Sequence, residues 1–242
     1  MTIAVFSGGD ITTNTGAARS SASFNNSLNK NALSRNYLLL VATAWRTNAV
    51  RTSTAVTYNG ASLAEVPGGS YNDEYASGFY HGQKWWYAVD PSTAGSSVVN
   101  VTYSGNMQSD AIAVFTLEGV DPNTPFGATP TLATGSGATP SVALTTIRHQ
   151  SWVVGRAIMR RASGGSYTPG GVAIELTDGE SDLSANSGIT FTDLYLPTTT
   201  PGSYTLQSTN SVSAVQHSIL AIEVIAAGGW LPTRHVKTYL RM

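Results

Sequence analysis

Residues Tyr37–Trp45 read YLLLVATAW, and residues Ser151–Met159 read SWVVGRAIM. Runs rich in Val, Ile, Thr, Tyr and Trp suit a pleated, half-buried surface. Leu38–Ala44 is the longest apolar run, well short of the ~18 residues of a membrane-spanning helix. Outward from these runs the signal is alternation with period 2. It covers Thr54–Tyr58, Ser62–Val66, Gly78–Val89, Ser97–Tyr103, Asp110–Gly119, Ser141–Thr146, Val172–Thr177, Gly188–Leu196, Ser203–Ser208 and Val212–Ile225. Turn clusters separate these strands: Asn59-Gly60, Pro67-Gly68-Gly69, Asp90-Pro91, Asp121-Pro122, Gly135–Gly137 and Pro169-Gly170-Gly171. Asn59-Gly60 predicts a type I′ hairpin, because that turn needs φ > 0 at both central residues. No stretch reads as a helix of three turns. The expectation is all-β: a single jelly-roll β-sandwich of two antiparallel sheets.

The chain also resembles itself. Tyr37–Trp45 pairs with Ser151–Met159, Tyr58–Ser70 with Tyr167–Ser181, and Ser109–Val120 with Gln216–Ile225, in the same order. Similar strands recur in any sandwich, and that is one explanation. The other is that two similar half-units build the jelly roll, with Thr124–Pro140 as the crossover between them. The expected organisation is an N-terminal extension or arm over 1–35, the sandwich over 36–225 and a C-terminal arm over 226–242. Thr2–Phe6 and Ser20–Phe24 read as strands inside the first extension.

Composition narrows the function. Hydrophobic residues are 41% of the 242, enough for a core, but charged residues are only 11%, against about 25% in an ordinary soluble domain. The surface must be Ser, Thr, Asn and Gly, which loses little side-chain entropy when ordered against a partner. A net charge of −1 and a pI near 6.4 argue against nucleic-acid binding. There is no cysteine, so neither disulfides nor thiolate metal sites arise. The opening MTIAVFSGGDITTNTG shows no basic region followed by an apolar stretch, so cytoplasmic synthesis is expected.

The succession of a long apolar strand ending in Ala44-Trp45-Arg46, then VTYNGASL, WWYAVDP, AVFTLEGVDPNTPFG and SWVVG resembles a concanavalin-like jelly-roll module. Such modules occur in bacteriophage structural proteins and bacterial surface proteins. The likeness runs from about Asn36 to Ile225, and it implies a scaffold with no activity attached. The glycosidases of that family carry a Glu-x-Asp-x-x-Glu-type strand that is missing here.

The residues agree with a non-enzymatic reading. No G-x-S-x-G elbow occurs, and His81, His149, His217 and His235 are scattered. Glu65, Glu175 and Glu223 lie on or at the ends of strands, but Glu65 and Glu175 hold matching places in the two half-units. A repeat explains them better than a catalytic pair does. Asp178, Glu180 and Asp182 alternate beside a glycine, which suits a hard cation with oxygen ligands. The plain alternative is a solvated acidic loop, and Asp73-Glu74 reads the same way. Tyr71, Tyr75, Tyr80, Trp85, Trp86 and Tyr87 cluster. Alternation sends Trp85 and Tyr87 to one face and Trp86 to the other, so one set is core and the other is a possible glycan platform.

The tail carries Trp230, Leu231, Val236, Tyr239, Leu240 and Met242 between Arg234, Lys237 and Arg241, and it has no acid. It either covers its own sandwich or docks on a neighbouring subunit. The expectation is a virion structural protein, a capsid decoration (cement) or tail-associated component assembled in the host cytoplasm. It would be a homo-oligomer whose partners are its own copies and other virion proteins, with no cofactor, nucleic acid or membrane. The alternative is a carbohydrate-binding or adhesive module at a cell surface.

Overall fold

A computed structural model describes residues 3–13, 19–25, 37–76, 78–91, 98–161, 166–181, 188–211 and 216–228. The first half contributes β1 (Ala4–Thr13), β2 (Arg19–Asn25), β3 (Tyr37–Thr47), β4 (Ser53–Tyr58), β5 (Ala61–Ser62), β6 (Ala64–Ala76), β7 (Phe79–Val89), β8 (Val98–Met107) and β9 (Ser109–Glu118). The second contributes β10 (Thr131–Ser136), β11 (Ser141–Thr146), β12 (Trp152–Arg161), β13 (Tyr167–Pro169), β14 (Ile174–Ser181), β15 (Gly188–Pro197), β16 (Gly202–Asn210) and β17 (Gln216–Val224).

The all-β class and the antiparallel sandwich packing are as expected. The number of sheets is not: the described residues form four. They run β1-β9-β3-β7-β6 and β2-β8-β4-β5 in the first half, and β10-β17-β12-β15-β14 and β11-β16-β13 in the second. Among the described residues the two halves repeat one another strand for strand, except that β5 has no counterpart in the second half. The register repeats too. Leu38 sits between Val89 and Leu117, and Trp152 between Pro197 and Val224. Even single bonds recur: Asp90 N donates to Tyr37 O at 2.9 Å, and Thr198 N to Ser151 O at 2.8 Å.

Each half is therefore a two-sheet sandwich, and the two five-stranded sheets pack face to face, giving four layers. Leu39, Val41, Trp45, Trp86, Ile112 and Val114 face Val56, Val99 and Val101 within the first half. Val153, Ala157, Leu194 and Ile219 face Val142, Leu144 and Leu206 within the second. Between the halves lie Leu38, Leu40, Trp85 and Phe115 against Trp152, Val154, Leu220 and Ile222. This explains the continuous apolar run of β3: every residue of it is buried, because both faces are covered. The outer strands alternate, as β11 does with every second residue buried.

Several expectations shift as a result. Residues 4–13 and 19–25 are not an arm; β1 pairs with β9 and β2 with β8. The Thr124–Pro140 stretch is more than a crossover, since it contains β10, the counterpart of β1. Pro67-Gly68-Gly69 does not turn the chain. It is a bulge inside β6, where the register slips between Glu65 and Ser70. Asn59 (φ 50°) and Gly60 (φ 81°) do form the expected left-handed hairpin turn. The body also extends past Ile225: Ala226 is fully buried and bridges Val120. The buried Glu223 fastens the crossover. It accepts backbone N–H bonds from Ala128 (2.6 Å), Ile147 (3.1 Å) and Arg148 (3.0 Å). Gly127 is needed there, because a Cβ would lie 2.3 Å from the Glu223 carboxylate.

Candidate functional site

The candidate platform on β7 is not available to a ligand. Trp85 is fully buried in the seam between the halves, stacked on Phe115 at 6.2 Å. Trp86 is buried in the first half's own core, with its indole N–H on Ser53 Oγ at 3.2 Å and the Lys84 ammonium over its ring. Tyr87 is only partly exposed, its ring edge against Phe126 at 4.7 Å. Alternation was right about the two faces. It could not say that a third sheet covers the second one.

Asp178 and Glu180 belong to the edge strand β14, opposite Thr192 and Thr190, so the acidic stretch is strand through Ser181 and not a loop. Asp182 lies outside the described residues, as do Trp230, Leu231, Arg234, Val236, Tyr239 and Leu240. Among the described residues no three His, Asp or Glu side chains converge to hold a metal ion. Glu65 and Glu175 hold equivalent places, opposite Trp86 and Leu194, and sit on opposite edges of the stack. Glu65 pairs with Lys84 Nζ at 2.8 Å.

Polar side chains do converge at one edge of the seam, around an open cleft of about 290 Å³. From the first half come Tyr71, Asp73 and Glu74 of β6 and His81 of β7, with Asp73 directly opposite His81 in the ladder. From the second come Thr134, Gly135 and Ser136 of β10 and Gln216 and His217 of β17. Gly135 is opposite His217, and the imidazole lies over it; a Cβ at 135 would come within 3.1 Å of Nε2. His217 Nδ1 is 3.3 Å from Gly137 O, and the Tyr71 and His81 rings meet edge to face at 5.5 Å.

The carboxylates are held in place. Asp73 accepts from Glu74 N (2.8 Å) and Tyr71 Oη (3.2 Å). Glu74 accepts from Gly78 N (2.7 Å) and Tyr80 Oη (3.2 Å). Burial pushes His81 down to about 4, helped by His217 and opposed by Asp73. Burial also lowers His217, against the pull of the Gly137 carbonyl. Tyr71 is raised, by burial first and by Asp73 second. At neutral pH both imidazoles are uncharged, so the cleft's charge comes from its two carboxylates.

The equivalent place in the first half is built differently. Asp110 occupies the position of His217, fully buried, with Arg19 bidentate on it at 2.8 and 2.7 Å and Tyr103 Oη at 2.8 Å. The sequence showed His81, His217 and Asp73 singly. Only the repeat register, applied to 217 and 110 together, could have flagged that one half departs from the other there. Comparisons with protein-family models, with curated proteins and with solved structures find no match.

Proposed function

We propose that this chain is a non-enzymatic structural protein of a bacteriophage virion, a capsid decoration or tail-associated component, acting through contacts between subunits. The observation that carries the reading is the four-layer stack. Two sandwiches share a dry seam of Leu38, Leu40, Trp85, Phe115, Val154 and Ile222, which makes a thick block with little room to deform. Its surface is poor in charge, at 11% of residues. Among the described residues the exposed large apolar side chains fall mostly on the second half: Leu132, Ile147, Val172 and Ile174, against Val50 on the first. Such a surface suits docking on other subunits more than free diffusion.

The amphipathic stretch from Trp230 to Met242 is the assembly arm in this reading. The test is the solution mass, by light scattering, of the full chain and of a version ending at Gly228. The shorter version keeps the last seam bond, Ala227 N to Gly119 O at 2.7 Å. A closed oligomer that falls to a folded monomer on truncation is the expected result. Two monomers of equal melting temperature would count against both the arm and the assembly reading.

A further inference from the structure

We infer that the seam cleft binds a neutral, hydroxyl-rich ligand, one pyranose ring of a glycan, and holds it without cleaving it. The inference is independent of the assembly reading. It takes the carbohydrate alternative away from the buried tryptophans and puts it where polar groups converge.

The chemistry of the lining selects the ligand. The Gln216 amide and the Thr134 and Ser136 hydroxyls each donate and accept, and neutral His217, whose Nδ1–H is held by Gly137 O, offers Nε2 as an acceptor. Asp73 and Glu74 add acceptors whose orientation is fixed by the bonds described above, while each carboxylate keeps free lone pairs. Vicinal sugar hydroxyls donate and accept at once, so they fit such a mixed set. No lysine or arginine lines the cleft, and its two carboxylates repel phosphate, sulfate and other anions. The volume, about 290 Å³, is at the small end of the ~300–1,000 Å³ of small-molecule sites. One ring fits, and the open mouth lets the rest of a chain run out into solvent. Asp73 and Glu74 are neighbours on a single strand, not two acids facing each other across a bound ring, so hydrolysis is not assigned.

The experiment is saturation-transfer NMR on the full chain. The probes are the methyl glycosides of glucose, galactose and mannose, N-acetylglucosamine, and glucose 6-phosphate as the anionic probe, each at millimolar concentration. The expected result is transfer from at least one neutral sugar, reduced about tenfold in affinity by Thr134→Trp. Thr134 is exposed on the edge strand β10, so the indole fills the mouth with the melting temperature unchanged. Ser136→Trp, two residues along the same edge, is the second blocking variant should the first misfold. The inference is overturned by no transfer from any neutral sugar, by binding that survives both substitutions, or by a preference for glucose 6-phosphate.

Discussion

The two halves share strand order and register, yet they fill the same positions on their facing sheets with opposite chemistry. Where the first half has Ala42 beside Trp85, the second has Arg156 beside Asp193. Trp85 packs on Phe115 as plain core. Arg156 and Asp193 are both fully buried and bidentate, at 2.7 and 2.6 Å, with the guanidinium over the Phe191 ring. Arg156 also reaches across the seam to the carbonyl of Ala42 at 2.9 Å. Gln83 does the same from the other side, donating to Ser218 Oγ at 3.2 Å. The difference teaches why the repeat closes on itself. Two identical apolar faces could pair with their own kind in another chain as readily as with each other. An arginine that finds its last acceptor only on the partner sheet distinguishes the right pairing from the wrong one.

The largest effect should come from breaking that pair. Arg156→Met leaves Asp193 buried and unpaired and should cost about 4 kcal/mol in denaturant unfolding. The double variant Arg156→Met with Asp193→Leu, which matches the apolar character of the first half, should recover most of the loss. A single variant costing under about 1 kcal/mol would mean that Asp193 is not in a dry seam, and the contrast between the halves would fail.

Acid should act next, and at the cleft. His81 ordinarily titrates at 6.5 and is held down to about 4 in the fold. Between those values the unfolded chain binds a proton that the folded chain does not, so stability falls as pH drops through the window. Asp73, Glu74, Tyr71 and His217 are the ionisable groups around it. The loss should reach up to about 3 kcal/mol between pH 7 and pH 4, and His81→Gln should remove most of it. Thermal melts across this range check the prediction; a flat profile in wild type would show that the cleft stays hydrated around His81.

The smallest effect separates equivalent glutamates. Glu65→Gln removes a half-exposed ion pair with Lys84 and should cost less than about 1 kcal/mol, shrinking further in salt. At Glu175, burial first and Asp178 second raise the carboxyl, so its charge opposes folding near neutral pH. Glu175→Gln should therefore be neutral or slightly stabilising. Equal costs at the two sites, measured by urea unfolding, would show that the repeat imposes the same electrostatic environment on both.

Much of this was legible before any coordinates. The Asn59-Gly60 turn was legible because its backbone demand is local. The matched blocks were legible because both halves need the same central strand, Tyr37–Trp45 and Ser151–Met159. Other features were hidden for physical reasons. β1 and β10 carry glycine and polar residues, so their pairing comes from the neighbouring strand and not from their own apolar pattern. β6 was cut short because Pro67-Gly68-Gly69 reads as a turn wherever it occurs, and only the β7 ladder on either side shows it to be a bulge.

The sequence by itself determined that the chain is all-β and low in charge, because strand propensity and turn chemistry are properties of neighbouring residues; it left the repeat as one of two explanations for the matched blocks. Tertiary structure alone decided that the described residues form four sheets, that Trp85 and Trp86 vanish into two different cores, and that β6, β7, β10 and β17 meet around a polar cleft. A period of two says that a strand has two faces. What covers each face is settled by segments far away in the chain.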